Sequence, residues 1–290
     1  MTPGLADAYA YCERLARTHY ENFPVASALL PARMRPHTAA IYAFARIADD
    51  MADEGARPAA DRLADLDDWE RRLDEAIRDV PLPREAHGDV FLALRHTIRA
   101  CRLPTQLFRD LLSAFRQDVT TTRYATWDDV LDYCRRSANP IGRLVLRVAG
   151  YDAPALAAAS DAVCTALQLA NFWQDVEIDW RKGRLYVPAS IWQPAGARES
   201  DLDARMFTPA WRAALADAAV KTRALFAAGR PVCDGVRGRL RYELRATWLG
   251  GTTILDKLEA ADYDVFAHRP RLTRADAPRI LWRTFVWTRG

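Results

Sequence analysis

Four oxygen-bearing side chains interrupt an apolar run between residues 168 and 179. They are Gln168, Asn171, Asp175 and Asp179, in the order Gln-Leu-Ala-Asn-Phe-Trp-Gln-Asp-Val-Glu-Ile-Asp. A helix turns by about 100° per residue, so with Gln168 at zero the other three fall at roughly −60°, −20° and +20°. Two amides and two carboxylates then share one narrow face. Like charges four residues apart repel each other and weaken a helix, so the spacing calls for a cation against that face.

A second acidic cluster reads Asp49-Asp50-Met51-Ala52-Asp53-Glu54. With Asp49 at zero, Tyr42, Arg46 and Asp53 all lie within about 60° of it. One reading is an exposed helix end neutralised by Arg46. Acidic residues near a helix C-terminus are electrostatically poor, which counts against it. Taken together, two Asp-x-x-x-Asp pairs on separate apolar helices suggest hard oxygen ligands for Mg²⁺ or Ca²⁺ rather than for zinc. Magnesium takes one or two carboxylates and fills its octahedron with water and substrate phosphate. A diphosphate held by a few such ions is a good leaving group, because its charge is neutralised as the C–O bond breaks. Glycosidase-like paired carboxylates are conceivable, but two Asp pairs fit metal–diphosphate work better than one acid and one base. There is no G-x-x-x-x-G-K-[ST], no G-x-G-x-x-G and no G-x-S-x-G, and the five histidines show no H-x-x-x-H pairing.

The 290 residues are half hydrophobic and carry a net charge of +3. That is a globular composition without the concentrated basic patch of a nucleic-acid binder. The five cysteines, Cys12, Cys101, Cys134, Cys164 and Cys233, are scattered and form no C-x-x-C. A reducing, cytoplasmic setting is expected, with neither disulfides nor zinc. The N-terminus lacks the pattern of a signal peptide. Residues 153–173 are interrupted by polar side chains and read as a buried helix rather than a membrane span. The C-terminal run 280–287 is too short to cross a bilayer but could touch a membrane surface through Trp282, Phe285 and Trp287. The other reading is a last helix packed on the core.

Apolar residues recur at helical spacing almost throughout, and no period-2 run occurs. Helices are expected over about 9–18, 35–51, 61–79, 89–101, 104–119, 154–180, 208–228, 233–249, 251–262 and 273–287. Another, opened by a cap at Thr126, should carry Tyr133 to Gly150 and bend or break at Asn139-Pro140. Residues 194–203 read as loop. No stretch resembles a linker, so residues 1–290 read as a single all-α domain.

At these residues the chain resembles the squalene/phytoene synthase family, the head-to-head isoprenyl synthases. Tyr42 to Glu54 is similar to the family's first aspartate motif. Gln168 to Asp179, followed by Gly183-Arg184-Leu-Tyr186-Val-Pro188, is similar to the second. Asp118, Tyr133-Cys134 and His19 add to the match, which spans nearly the whole chain. The resemblance implies the isoprenoid synthase fold, with the two motifs facing each other across a central cavity. It implies that Asp49, Asp53, Asn171, Asp175 and Asp179 bind several Mg²⁺ ions. His19, Tyr42, Arg46, Gln168, Arg184 and Tyr186 would bind substrate, with Arg46 and Arg184 on phosphate. Tyr133 would handle a proton or stabilise a cation.

The departures narrow the branch. Phe172-Trp173-Gln174 stands where condensing members usually have Ile-Leu-Arg, and Tyr133-Cys-Arg-Arg-Ser-Ala-Asn-Pro140 replaces Tyr-Cys-Tyr-x-Val-Ala-Gly. The segment after His19 lacks the usual serine and basic residue. These variants resemble the bacterial hydroxysqualene-forming branch. It ionises presqualene diphosphate and traps the rearranged cation with water, without NADPH. Ser137 and Asn139 are small polar groups that could hold that water. Two alternatives stay open: condensation of two prenyl diphosphates such as farnesyl diphosphate, and a non-catalytic binding or assembly role. Upstream and downstream pathway enzymes are the protein partners such a chain could have.

Overall fold

Alternating three- and four-residue apolar spacing produces helices along the chain, and the only β-type pairing among the described residues is a single parallel bridge between Arg123 and Leu185. The computed structural model describes residues 3–18, 29–53, 57–78, 80 and 86–288. In order the helices are α1 (Pro3–Thr18), α2 (Arg35–Asp53, after a 3₁₀ turn at Ala32–Met34), α3 (Ala59–Arg78), α4 (Gly88–Cys101) and α5 (Gln106–Thr120). There follow α6 (Trp127–Ser137), α7 (Asn139–Val148), α8 (Pro154–Gln174), α9 (Val176–Arg181), α10 (Ala189–Trp192) and α11 (Glu199–Asp203). The chain closes with α12 (Pro209–Gly229), α13 (Val232–Gly235), α14 (Arg239–Ala260) and α15 (Ala277–Phe285).

The chain divides into two compact units, each discontinuous in sequence. The first joins Met1–Thr120 to Pro140–Ala157, and the second joins Thr121–Asn139 to Ala158–Gly290. In the first unit α2 is the centre, in contact with α1, α3, α4 and α5. Its buried residues run from Thr38 to Phe44 without a gap and continue through Ile47, Ala48 and Ala52, as expected of a helix enclosed on most sides. Phe44 packs on Trp69 at 5.8 Å and Phe108 at 5.4 Å, and Trp69 meets Phe91 at 4.5 Å between ring centroids. Ile141 and Leu144 of α7 complete this core.

A polar knot ties α1, α2 and α4 within that unit. The Tyr9 hydroxyl lies 3.1 Å from His37 Nδ1, 2.8 Å from His96 Nδ1 and 2.8 Å from Thr97 Oγ1. Burial, and secondarily the neighbouring His96, holds His37 below its ordinary value. A histidine whose folded pKa is lowered favours the fold while neutral. The unfolded chain then binds more protons as acid is added, and stability is lost as pH falls below about 6.5 toward the lowered folded value. Urea midpoints measured across this range should therefore fall with pH, and His37→Gln should flatten that slope. An unchanged slope in the variant would sink the assignment.

In the second unit, Thr126 opens α6 with reciprocal capping bonds. The Asp129 amide donates to Thr126 Oγ1 at 3.2 Å, and the Thr126 amide donates to Asp129 Oδ2 at 2.8 Å. The expected break at Asn139-Pro140 separates α6 from α7. Three expectations are corrected. The helix expected over 154–180 is interrupted at Asp175, whose backbone (φ −107°, ψ 12°) leaves the helical region and opens α9. The segment 194–203 contains α11 and is not all loop. Gly250-Gly251 does not separate two helices, because α14 runs straight through it. A Cβ at Gly251 would lie 2.5 Å from the Phe226 ring and 2.6 Å from Leu167, so this glycine permits close helix approach instead of a turn. All five cysteines are free. Among the described residues no helix is long and apolar enough to cross a membrane.

Candidate active site

The first acidic cluster sits at the C-terminal end of α2, so the most enclosed helix of its unit positions it. Arg46 reaches Asp50 at 2.6 Å, one turn along, and Asp49 at 3.5 Å. All three side chains remain partly accessible, whereas Arg46 Nε is buried with no hydrogen-bond partner among the described residues. Buried polar atoms normally find a partner, so this donor fits an acceptor that the described residues do not supply. Tyr42 is buried on the same helix. Burial raises its phenol above the ordinary value, Arg46 opposes the rise, and Asp50 and Asp49 add to it. It therefore stays a protonated hydroxyl able to donate. Asp53 closes the helix and is half-buried. His19 and Glu54 lie outside the described residues.

The second cluster is built on α8 and α9. Gln168 and Asn171 are half-buried on α8. Asn171 Nδ2 donates to Asp175 Oδ2 at 3.0 Å, the i,i+4 contact that the helical spacing predicts. The other oxygen, Asp175 Oδ1, accepts from Arg269 Nε at 2.5 Å. Arg269 thus places a cation from the chain itself against one carboxylate of this face. Nothing in the sequence marked it, since it lies 94 residues away and outside any motif. Asp179 falls beyond the break at Asp175, in the first turn of α9. Its carbonyl receives the amide of Arg184 at 2.8 Å, which folds the motif's tail back onto α9.

That tail turns at Gly183, where φ is +80° and a side chain would be strained. It then runs beside residues 122–125. The Leu185 amide donates to the Thr122 carbonyl and the Ala189 amide to the Tyr124 carbonyl, each at 2.9 Å. Arg123, which the motifs did not mark, secures the turn. It donates to the Gly183 carbonyl at 2.6 Å, pairs with Glu199 at 2.9 Å and covers the Trp180 ring at 4.7 Å.

The result is a buried aromatic platform. Phe172 and Tyr186 stack face to face, with centroids 3.7 Å apart and planes 2° apart. Tyr133 lies 6.0 Å from Phe172 and 5.9 Å from both Tyr186 and Tyr124. Aromatic faces carry negative potential that attracts cations, so these rings suit a cationic intermediate. Trp173, next to Phe172, instead enters the unit's core, where its Nε1 donates to Thr222 Oγ1 at 2.8 Å. Near Tyr133, Asn139 is buried and its Oδ1 accepts from Thr165 Oγ1 at 2.9 Å. Ser137 Oγ is buried without a partner among the described residues.

Among the described residues, no three His, Cys, Asp or Glu side chains converge closely enough to hold a metal ion by themselves. The donors are nevertheless the hard oxygens that magnesium prefers, and magnesium commonly leaves several positions to water and phosphate. One carboxylate oxygen already holds an arginine where a metal cation could bind. The residues fit Mg²⁺ bound together with a diphosphate.

Two relatives and one solved structure bear on this arrangement. The chain is 37% identical over 252 residues to the hydroxysqualene synthase of Rhodopseudomonas palustris, covering 86% of this chain and 83% of that protein. It is 40% identical over 208 residues to the hydroxysqualene synthase of Zymomonas mobilis, covering 71% and 67%. The crystal structure of squalene synthase HpnC from Alicyclobacillus acidocaldarius superposes with a TM-score of 0.83 at 40% identity, over 91% of this chain and 97% of that one. The family description for squalene/phytoene synthase matches residues 16–276, and the chain therefore belongs to the squalene/phytoene synthase family.

Proposed function

We propose that this enzyme of isoprenoid biosynthesis ionises presqualene diphosphate, lets the cation rearrange and captures it with water, giving hydroxysqualene and diphosphate. The observation that carries this reading is the segment Phe172-Trp173-Gln174. Where condensing members usually place a cation before the aspartate, this chain has a neutral amide, and Phe172 is fixed against Tyr186. The relatives called hydroxysqualene synthases, at 37% and 40% identity, support the same reading.

In this reading the C–O bond of the substrate breaks and its electron pair leaves on the diphosphate. Bound Mg²⁺ would neutralise that charge. Asp49 and Asp53 of the first motif, and Asn171, Asp175 and Asp179 of the second, would be the metal ligands, and Arg46 and Arg184 would take phosphate oxygens. Tyr42, Gln168, Tyr186 and His19 orient the substrate. The faces of Phe172, Tyr133 and Tyr186 stabilise the carbocation. Ser137 and Asn139 would hold a water whose oxygen adds to the cation and whose proton is lost, with the Tyr133 hydroxyl relaying it. No electrons are gained or lost, so no NADPH is consumed. Residues 1–290 are read as one isoprenoid synthase domain. Substrate and product are largely apolar, so the enzyme works in contact with a membrane surface while exchanging them with neighbouring pathway enzymes.

The test uses purified protein with Mg²⁺ and no NADPH, given farnesyl diphosphate in one reaction and presqualene diphosphate in another, with products read by mass spectrometry. Hydroxysqualene from presqualene diphosphate alone is the expected result. Product from farnesyl diphosphate would replace the proposal by condensation, an arm retained because one similar structure is called a squalene synthase. No turnover in either reaction by folded protein would favour a binding role.

A further inference from the structure

The last helix packs on the second unit by a narrow face. Setting Ala277 at zero, Ile280 and Thr284 fall at roughly −60° and −20°, and Leu281, Phe285, Pro278 and Trp282 span roughly 40° to 140°. Thr284 is buried and Ile280 half-buried, whereas Leu281, Phe285 and Trp282 are exposed, Trp282 by 69% and Phe285 by 61%, the Phe285 ring meeting Tyr242 of α14 along one edge of the arc at 5.1 Å. Arg279 and Arg283 come next, at roughly 200° and 240°, and both are exposed. Arg271 and Arg274 precede the helix and are exposed as well. The one acid of this segment, Asp276, is tied to Lys257 at 2.7 Å. The outward side of α15 is thus an apolar arc bordered by positive charge.

This face is held in place at both ends. Lys257 binds Asp276 and also the Arg271 carbonyl, at 2.9 Å, before the helix. After it, Trp287 donates to Asp234 at 3.3 Å, meets Trp248 at 5.4 Å and lies under Arg230 and Arg245 at 4.6 and 5.2 Å. Trp287 is therefore a packing residue, not a contact residue, which corrects the expectation for that position. A contiguous exposed apolar patch rimmed by polar residues commonly marks a contact surface.

We propose that α15 is an interfacial helix that seats the enzyme on an anionic lipid bilayer, with Leu281, Trp282 and Phe285 in the headgroup–acyl boundary and Arg279 and Arg283 on the phosphates. The occupant is argued from charge. A partner helix would be served by the apolar arc alone, whereas aromatic residues bordered by arginines match the two layers of a membrane surface. The inference rests on the membrane-contact part of the proposed function and not on the identity of the reaction.

The test is sedimentation of the full chain with phosphatidylcholine vesicles, with and without phosphatidylglycerol, at low and high salt. Binding should require the anionic lipid and weaken with salt. Arg279→Gln with Arg283→Gln should lower the partition coefficient about 25-fold at low salt, since each arginine near an anionic surface contributes about a fivefold factor. Trp282→Ser with Phe285→Ser should lower it by about 10-fold or more at both salt concentrations. Turnover in detergent should be unchanged in both variants, which separates failure of this proposal from failure of the reaction assignment. No binding to anionic vesicles, or binding unaffected by both double variants, would overturn it. So would a concentration-dependent dimer abolished by Trp282→Ser with Phe285→Ser, which would make a second copy the occupant of the face.

Discussion

Replacing Asp175 by asparagine should reduce turnover of presqualene diphosphate by at least about 100-fold, as read from single-turnover rates, while circular dichroism shows the fold intact. Asparagine keeps the shape of the side chain and an oxygen for Asn171, but it removes the negative charge that a metal ligand needs. Loss of Lewis-acid stabilisation at a breaking C–O bond is worth several kcal/mol, and each 1.36 kcal/mol is a factor of ten in rate. The same variant should weaken Mn²⁺ binding measured by electron paramagnetic resonance, a readout independent of chemistry. Arg269 is the internal control. It already occupies Asp175 Oδ1, so Arg269→Gln removes the competing cation and should leave metal binding intact or tighter. Turnover of Asp175→Asn within threefold of the parent, with Mn²⁺ binding unchanged, would remove Asp175 from the metal site.

Truncating Trp173 to alanine should destabilise the protein by about 3–5 kcal/mol. The side chain is fully buried, and its ring stacks on Trp127 at 6.1 Å. Its Nε1–H is also the donor to the buried Thr222 hydroxyl. Thr222 in turn donates to the Ala218 carbonyl at 2.8 Å, so truncation opens a large cavity and strips one bond from a buried hydroxyl. Trp173→Phe keeps most of the volume and loses the bond, and should cost about 1–2 kcal/mol. Urea unfolding followed by far-ultraviolet circular dichroism gives both values. A loss below 1 kcal/mol for the alanine variant would mean that the site collapses around the gap. The larger value would make Trp173 a packing solution and leave Phe172 and Gln174 as the changes in this segment that bear on chemistry.

The helices and both acidic motifs were legible because helical spacing is a local property. The capped start at Thr126 and the break at Asn139-Pro140 follow from turn chemistry and are found in place. The interruption at Asp175 was not legible, since no proline or glycine marks it. Gly250-Gly251 misled for the opposite reason: glycine signals a turn and close packing with the same letter, and only the positions of Phe226 and Leu167 distinguish them. Around the first motif, the arithmetic that grouped Arg46 with Asp49 and Asp53 also puts Asp50 about 40° from Arg46, and Asp50 is the closer partner. Arg269 and Arg123 escaped because their partners are distant in sequence. The like-charge argument asked for a cation and pointed to Mg²⁺ with phosphate, whereas an arginine at one of the two carboxylates is visible only in the folded chain.

The discontinuity of the two units has a consequence at the level of the gene. Residues 121–139 leave the first unit, and the chain returns to it at Pro140, with α7 delivering Ile141 and Leu144 to its core. A coding fragment that ends at Thr120 therefore encodes α1 to α5 with part of their apolar surface uncovered, and one that begins there starts with α6 and then carries a helix whose core belongs elsewhere. No single cut separates the two units into pieces that each encode a whole one. One crossover could not have exchanged them as modules, and a split-protein design would have to transplant residues 140–157, with α7, next to α5 in the sequence before either half encoded a whole unit.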